Sequence, residues 1–290
     1  MSVSDRFARL LDNLKLTKDQ NGDGITKHGG IRTCLNKYYY NIYSGTANSM
    51  LIGSWGKKTR IRPPRDIDLL FILPVSVYYR FESRPGNKQS QLLQEVKQVL
   101  QATYSTTRMR GDGQVIVVQF QSQSVEVVPA FLLTSGQYWI CDTHKGGIYK
   151  TSDPKAEINR VQISNNATSG NTRDLIRMLK CWQSYCNVPI KSFYLELLSI
   201  DFLQSWSYRG KSTVYYDWMT RDFFSYLTRK VQNYFFVPGT NELINVGSEW
   251  KSKAETAYSR AVKACHYEGN NMYVYAGIEW QKIFGTYIPA

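Results

Sequence analysis

Two aspartates separated by one residue are the part of this sequence best suited to chemistry. Asp66 and Asp68 flank Ile67, and the apolar run that follows predicts a strand over 67–73. Alternate side chains of a strand point to the same face, so both carboxylates are expected on one face. Two like charges this close repel each other, and Mg²⁺ relieves the repulsion because hard cations prefer carboxylate oxygens. The spacing therefore predicts a divalent-metal site.

A third carboxylate completes a site for two metal ions. Glu126 is the candidate, because it interrupts the apolar run 125–129 of a second predicted strand. A lone acid at such a position is costly to bury unless it is paired or metal-bound. Two metal ions activate a hydroxyl, steady the charge of the α-phosphate and stabilise leaving pyrophosphate. The three acids therefore predict nucleotidyl transfer with two Mg²⁺ ions, with Mn²⁺ as a possible substitute.

Gly53 and Ser54 have a matching role twelve residues before the aspartates. Glycine after a strand lets the backbone turn tightly and approach a ligand. Serine can open a helix and donate to a phosphate, whose charge suits the amides at a helix start. The segment between the two motifs is basic and is expected to surround the site with positive charge. Its cations are Lys57, Lys58, Arg60, Arg62 and Arg65.

The pair Gly53-Ser54 followed by Asp66-Ile67-Asp68 resembles the signature of the polymerase-beta-like nucleotidyltransferase superfamily. Further stretches are similar to segments of the bacterial cGAS/DncV-like nucleotidyltransferases, the CD-NTases. These stretches are 110–114, 125–129, 142–149, 175–182 and 191–198. The stretches 175–182 and 191–198 also resemble animal oligoadenylate synthetases. The similarity covers most of the chain and is weakest after Lys230.

The resemblance implies an α+β, bilobed enzyme. Residues 1–160 would form the catalytic core, a mixed sheet with a long spine helix. Residues 161–290 would form a helical lobe that closes the NTP cleft. Asp66, Asp68 and Glu126 would hold Mg²⁺, and Glu126 or its metals would help to deprotonate the attacking hydroxyl.

The resemblance also assigns phosphate and base contacts. Ser54 would hold the donor triphosphate, Lys180 and Ser192 fall where relatives contact phosphates, and Phe193 falls where an aromatic ring stacks on the donor base. A basic face at Arg173, Arg177 and Lys180 independently supports the role of Lys180, because three positive charges repel unless an anion lies opposite. The alternative is an ordinary solvated basic face, which is the commoner case for a helix. Two departures stand out: the third acid is Glu rather than the commoner Asp, and the zinc insertion of animal cyclic GMP–AMP synthase is missing.

The composition is that of a folded protein with an affinity for polyanions. Lys and Arg exceed Asp and Glu by 13, which attracts nucleotides, nucleic acids or anionic lipid surfaces. No run of 18 apolar residues occurs, which excludes a membrane span. Five scattered cysteines without an export signal predict reduced thiols and a cytoplasmic location.

Apolar periodicity predicts the elements that position these residues. Helices are expected over 3–14, 25–42, 88–104, 172–186, 195–206, 218–233 and 248–265. Strands are expected over 50–53, 67–73, 115–120 and 125–132, with the last two as an antiparallel pair. Residues 17–24 are expected as a polar loop, and a domain boundary is expected between Gly146 and Asn171.

Three weaker signals in the sequence have simple structural explanations. The run Asp19–Gly24 imitates the start of a calcium loop but has Gly30 where the loop needs Glu, so a turn suffices. Cys181 and Cys186 are too far apart for a zinc pair. His144 lies in a family-like segment, where a role in the cleft and a structural hydrogen bond remain open.

The sequence thus predicts synthesis of a cyclic di- or trinucleotide second messenger, adenine-containing, from NTPs including ATP, in bacterial anti-phage signalling. The alternatives are a linear 2′–5′ oligoadenylate-type synthetase, a transferase that modifies a protein or RNA, and a nucleic-acid binder without chemistry. A regulatory protein or a nucleic acid is a possible activator. The bases, the linkages, the ring size and the oligomeric state stay open at this point.

Overall fold

Eleven helices and nine strands form along the chain in the computed structural model, which describes all 290 residues. The helices are α1 (Val3–Leu14), α2 (Lys18–Tyr40), α3 (Gly53–Gly56), α4 (Val75–Glu82), α5 (Lys88–Thr103), α6 (Pro154–Ala167), α7 (Asn171–Tyr185), α8 (Ser192–Ser205), α9 (Tyr216–Thr228), α10 (Lys251–Gly269) and α11 (Tyr273–Phe284). The strands are β1 (Ser49–Leu51), β2 (Ile67–Ile72), β3 (Arg108–Asp112), β4 (Val115–Gln119), β5 (Ser124–Leu132), β6 (Tyr138–Asp142), β7 (Ile148–Ser152), β8 (Tyr234–Phe236) and β9 (Leu243–Asn245). The content is α+β, as predicted.

The chain divides into two compact units. Residues 16–58 and 64–158 form one, called here the sheet unit. Residues 1–15, 59–63 and 159–290 form the other, called here the helical unit. The observed change of unit after Ile158 lies close to the predicted boundary at 160, but the first fifteen residues and the segment 59–63 group with the helical unit.

The apolar stripe of α1 explains why this helix groups with the helical unit. Phe7 and Leu10 are fully buried, and the Phe7 ring lies 5.1 Å edge-on from the ring of Trp280. Arg6, also fully buried, pairs with Glu268 and donates to the carbonyl of Tyr273. Burial of each large apolar side chain contributes about 1.5–3 kcal/mol. The stripe therefore places α1 in the helical unit, although the sheet unit follows it directly in the sequence.

A seven-stranded mixed sheet is the centre of the sheet unit. Its strand order is β1-β2-β5-β4-β3, and β6 pairs with β5 and with β7. β2 and β5 run parallel, whereas the other neighbours run antiparallel. The predicted antiparallel pairing of 115–120 with 125–132 is confirmed, with Ile116 opposite Val127.

The long helix α2 packs its buried Ile31 and Leu35 into the core of the sheet unit. It begins at Lys18, so the prediction of a polar loop over 17–24 is wrong. A capping box starts the helix: the Thr17 hydroxyl accepts from the Gln20 amide, and the Gln20 side chain accepts from the Thr17 amide. This cap satisfies amides that have no partner within the helix and outweighs the two glycines that follow.

The helical unit is built around large apolar side chains of α7 to α11. Trp182, Trp250 and Trp280 are fully buried there. Four of its predicted helices occur with shifted ends, whereas α6 crosses the segment predicted as a polar boundary and α11 was not predicted. No helix in the structure is long and apolar enough to span a membrane.

Candidate active site

The site begins at a sharp turn where β1 gives way to the short helix α3. Gly53 has a φ of 53°, a conformation that glycine adopts without steric cost. An ideal Cβ at this position would lie only 1.9 Å from Oδ2 of Asp68. The absent side chain therefore makes room for the Asp68 carboxylate against the start of α3. Ser54 follows as the first residue after this contact and is half-buried.

Trp55 holds this turn in place. Its side chain is buried and lies edge-on to the ring of His28 in α2, 5.7 Å away. Burial lowers the pKa of His28 to about 4, with a further contribution from the nearby Arg32 charge, so the imidazole is neutral at physiological pH. The turn that carries Gly53 and Ser54 is thus fixed from beneath by neutral, packed rings.

The two aspartates lie on either side of the start of β2. Ile67 between them is fully buried, whereas Asp66 is exposed and Asp68 is half-buried. This alternation confirms that the two carboxylates avoid the buried face of the strand. The hydroxyl of Ser124, at the start of β5, donates a hydrogen bond to Asp66.

Glu126 lies directly beside Asp68 across the parallel pairing of β2 with β5. Its neighbours Val125 and Val127 are fully buried on the opposite face, which leaves Glu126 on the face of the aspartates. Burial, together with the negative charges of Asp66 and Asp68, raises the pKa of Glu126 to about 7. The carboxyl therefore titrates near neutral pH, which suits a proton acceptor.

These acids fit a divalent cation by donor type and by electrostatics. All three offer carboxylate oxygens, and the mutual repulsion that raises the pKa of Glu126 is the cost that a cation removes. No group of three or more His, Cys, Asp or Glu side chains is gathered in metal-ligating geometry in the structure. The acids predicted to bind two metal ions thus lie on one face of two adjoining strands, but they are not yet gathered in a ligand geometry.

Two further charged residues, Arg110 and Asp112, lie on the same face of the sheet as the acids and were not among the predicted site residues. Val117 lies opposite Glu126, and Arg110 lies opposite Val117. Arg110 and Asp112 are exposed and pair at 3.4 Å. The charge of Arg110 lowers the pKa of Glu126, and that of Asp112 raises it. The alternation of the 108–119 hairpin was the signal that could have placed both residues on the face of the acids.

Two cations of the basic segment 57–65 have identified protein partners. Lys57 is buried and pairs with Glu157 at 2.7 Å within the sheet unit. Arg62 donates twice to the carbonyl of Asn13 within the helical unit, at 2.9 and 2.6 Å. These two cations therefore have partners within their own units, and the expectation that the five cations surround the site stays a prediction.

Lys180 lies in α7 of the helical unit and has protein partners. It is buried, and its Nζ donates to Glu196 Oε1 at 2.8 Å and to Thr59 Oγ1 at 2.9 Å. Arg177 likewise pairs with Asp174 at 2.8 Å. Carboxylates of the same unit thus provide counter-charges for Lys180 and Arg177, so the basic face does not by itself require a ligand anion. A phosphate contact of Lys180 stays a prediction of the resemblance.

Ser192 and Phe193 open α8 in the helical unit. The Ser192 hydroxyl donates to Oε1 of Gln183 at 2.9 Å, and both Ser192 and Phe193 are half-buried. Their assignments to phosphate and base also stay predictions.

His144 makes the structural hydrogen bond that was one of its two interpretations. Its Nδ1 lies 2.6 Å from Asp142 Oδ1, and its backbone amide donates to the same oxygen. Lys150 pairs with the other carboxylate oxygen. The Lys150 and His144 hydrogen bonds hold the pKa of Asp142 well below its usual range. His144 thus stabilises the loop between β6 and β7.

A comparison with family profiles identifies the class. The Second Messenger Oligonucleotide or Dinucleotide Synthetase domain, SMODS, matches residues 1–165, which is more than half of the chain. The chain therefore belongs to this family, the bacterial CD-NTases, and it is a nucleotidyltransferase by family. A probable cyclic nucleotide synthase of Bacillus cereus is 22% identical, with 82% of this chain and 81% of the relative covered.

Solved structures of three bacterial proteins share the fold. CdnC of Escherichia coli MS115-1, solved with ATP and also as a complex with HORMA, matches with a TM-score of 0.71, 17% identity and 99% coverage of each chain in its ATP structure. Apo DncV of Vibrio cholerae gives 0.73 at 12% identity, covering 97% of this chain and 93% of DncV. CdnG of Bradyrhizobium diazoefficiens, solved with GTP, gives 0.66 at 10% identity, covering 98% and 95%.

Proposed function

We propose that this chain joins NTPs, ATP among them, into a cyclic di- or trinucleotide second messenger that serves bacterial anti-phage signalling in the cytoplasm. The observation that carries the proposal is the pairing of Asp68 with Glu126 on adjoining strands, beside the glycine turn at Gly53. Membership of the synthetase family supports the reaction class. The structures of CdnC with ATP and of CdnG with GTP support NTPs as substrates.

In this proposal the residues of the sheet unit bind and orient the reacting groups. Ser54, on the fixed turn, donates its hydroxyl to the donor triphosphate. Glu126, or the metal ions that it would hold, helps to deprotonate the attacking hydroxyl. Asp66 is oriented by the Ser124 hydroxyl, and Asp68 by its contact with the turn at Gly53.

Asp66, Asp68 and Glu126 would hold two Mg²⁺ ions, or Mn²⁺ in their place. Such ions lower the pKa of a coordinated hydroxyl and neutralise the charge that develops on phosphate oxygens. Of the helical-unit residues, Lys180 and Ser192 are proposed to contact phosphates and Phe193 to stack on the donor base.

Incubation of the pure protein with all four NTPs and Mg²⁺ or Mn²⁺ tests the proposal. The products are treated with phosphatase and identified by mass spectrometry. A cyclic di- or trinucleotide resists phosphatase because a ring has no terminal phosphate, and its mass names the bases. A phosphatase-sensitive ladder of oligoadenylates would favour the linear 2′–5′ synthetase instead.

Two further alternatives have separate readouts. A transferase that modifies a protein or RNA would move label from NTP to a macromolecule and leave no free oligonucleotide. A binder without chemistry would retain nucleic acid in the Asp66→Ala variant with a strong dependence on salt, and wild type would turn nothing over.

An activator is also part of the proposal. The complex of CdnC with HORMA supports a regulatory protein partner. The excess of 13 positive charges supports a nucleic acid as the other candidate. The synthesis assay is therefore repeated with RNA, with DNA and with a HORMA protein, and each is scored by the increase in product.

A further inference from the structure

A pocket of about 410 Å³ lies among α7, α10 and α11 of the helical unit. Its size is in the range of small-molecule sites. Trp182 and Ile283, both buried, contribute apolar surface, and the half-exposed ring of Tyr185 contributes an aromatic one. None of these residues is among those assigned to the nucleotidyl-transfer site.

The charged residues that line this pocket are three cations and no acid: Lys253, Arg260 and Lys282. Glu279 neutralises part of this charge from beside the pocket, since it pairs with Arg260 at 3.2 Å and with Lys282 at 2.6 Å. Lys253 adds a third positive charge outside that network. Three cations around a concave surface favour a ligand that carries at least one strongly acidic group.

The aromatic part of the pocket packs against backbone of the same unit. A Cβ at Gly285 would lie 2.8 Å from the Tyr185 ring, so the ring packs directly on this backbone. The Cys186 thiol donates to the carbonyl of Ile283 at 3.5 Å and ties the end of α7 to α11. The Tyr185 ring can stack on a planar group, and the cations beside it can pair with a phosphate joined to that group.

We propose that this pocket binds a nucleoside phosphate of mononucleotide size, as a site separate from the substrate site at Asp66 and Asp68. The ligand places its phosphate among Lys253, Arg260 and Lys282 and its base against Tyr185.

The pocket is suited to regulation because α7 also carries Lys180, less than two turns before Tyr185. Ligand contact at the end of this helix would restrict the residues that hold Lys180 against Glu196 and Thr59. This regulatory consequence rests on the proposed function, whereas binding in the pocket does not.

Binding of AMP to the full-length protein in EDTA tests the site without any need for synthesis. Titration calorimetry compares AMP with adenosine and with inorganic phosphate, and AMP is expected to bind more tightly than either fragment. The variant Lys253→Ala/Lys282→Ala should lose affinity for AMP by about tenfold or more. The control Lys251→Ala/Lys263→Ala removes equal charge from exposed positions of α10 outside the pocket and should stay within about twofold.

Two results would overturn the inference. One is wild-type protein that shows no saturable AMP binding, and the other is pocket and control variants with equal affinity. If the double variant has a lowered melting temperature, Lys253→Ala alone replaces it in the AMP titration, because this change breaks no ion pair with Glu279. Hydrogen exchange measures the coupling between the pocket and the part of α7 that carries Lys180. AMP should slow exchange of the amides of residues 180–187 in wild type and not in the pocket variant. Unchanged exchange in wild type would exclude the regulatory role. Absence of any oligonucleotide product would count against the proposed function and leave these readings intact.

Discussion

The Asp68 carboxylate occupies the space that a side chain at residue 53 would need. Oδ2 of Asp68 would lie 1.9 Å from a Cβ built on Gly53. The backbone amide of Ile52 also donates to the carbonyl of Asp68 at 2.9 Å. The glycine turn and the aspartate motif, which are separate in the sequence, are therefore one structural feature.

Gly53→Ala should disable synthesis while the protein still folds. The left-handed backbone and the clash with Asp68 together should cost about 1–2 kcal/mol in the free energy of unfolding. Displacement of Asp68 should lower the rate of product formation by at least about a hundredfold. Gly22→Ala is the matched control, since a Cβ there meets nothing within 4 Å inside α2 and should add about 0.5–1 kcal/mol of stability. Equal activity of the two variants would contradict this reading of the turn.

Glu126→Gln should change how stability depends on pH. The folded-state pKa of Glu126 is about 7, above its ordinary value of 4.5. The folded state therefore holds the proton more tightly between these values, and this contribution to stability is present at low pH and disappears as pH rises to 7. In EDTA the melting temperature of Glu126→Gln should match wild type near pH 4.5 and exceed it at pH 8. Mg²⁺ at pH 8 should raise the melting temperature of wild type more than that of the variant. A constant difference between the two proteins at all pH values would be evidence against the raised pKa.

Asp66→Asn and Asp68→Asn should each abolish metal-dependent synthesis. Loss of a carboxylate ligand should reduce product formation by at least about a hundredfold, because charge neutralisation in the transition state is lost. Asp19→Asn, an exposed change at the start of α2, is the control and should keep wild-type activity. Product is quantified by mass spectrometry after phosphatase. Undiminished synthesis by either variant would remove these acids from the reaction.

The buried pair of Lys180 with Glu196 allows stability to be separated from phosphate binding. Lys180→Met alone leaves a buried carboxylate without its counter-charge and should cost about 3–5 kcal/mol in unfolding free energy. Lys180→Met/Glu196→Met removes both charges and should recover most of that loss. If Lys180 contacts the triphosphate as proposed, the double variant should still show a KM for NTP about tenfold higher than wild type. A stable double variant with unchanged KM would assign Lys180 to structure alone.

His144→Ala should leave synthesis within about threefold of wild type, since the imidazole is exposed and supplies only one of the hydrogen bonds to Asp142. Asp142 keeps its bonds from Lys150 and from the backbone amide of residue 144 in this variant. The value of kcat/KM measures the effect. A larger fall would revive a role for the imidazole in the reaction.

Local spacing was enough to predict which face of β2 carries the two aspartates. The alternation of Asp66, Ile67 and Asp68 predicted the exposed face of β2 from three residues, because strand geometry repeats every two positions. Glu126 was recognised as an anomalous acid in an apolar strand, but nothing local indicates that its strand runs parallel to β2 in the register that places it beside Asp68.

Long-range partners account for what sequence reasoning missed. A phosphate was the expected partner of Lys180, because its protein partners Thr59 and Glu196 belong to other elements of the fold. The grouping of α1 with the helical unit likewise depends on Trp280, which lies at the other end of the chain. The start of α2 was different: the capping residues Thr17 and Gln20 are visible in the sequence, but the polar composition of residues 17–24 favoured a loop.

The parallel pairing of β2 with β5 has a consequence for the order of events during synthesis of the protein. It is the one parallel pair of the sheet, and it joins strands separated by α4, α5 and two further strands. Contacts between such distant segments form late, because the intervening chain must first be closed into a loop. The acids therefore come together only after β5 has left the ribosome and found β2. An unfinished chain that lacks β5 therefore cannot bring Asp68 and Glu126 together, whatever else of the sheet unit has already folded.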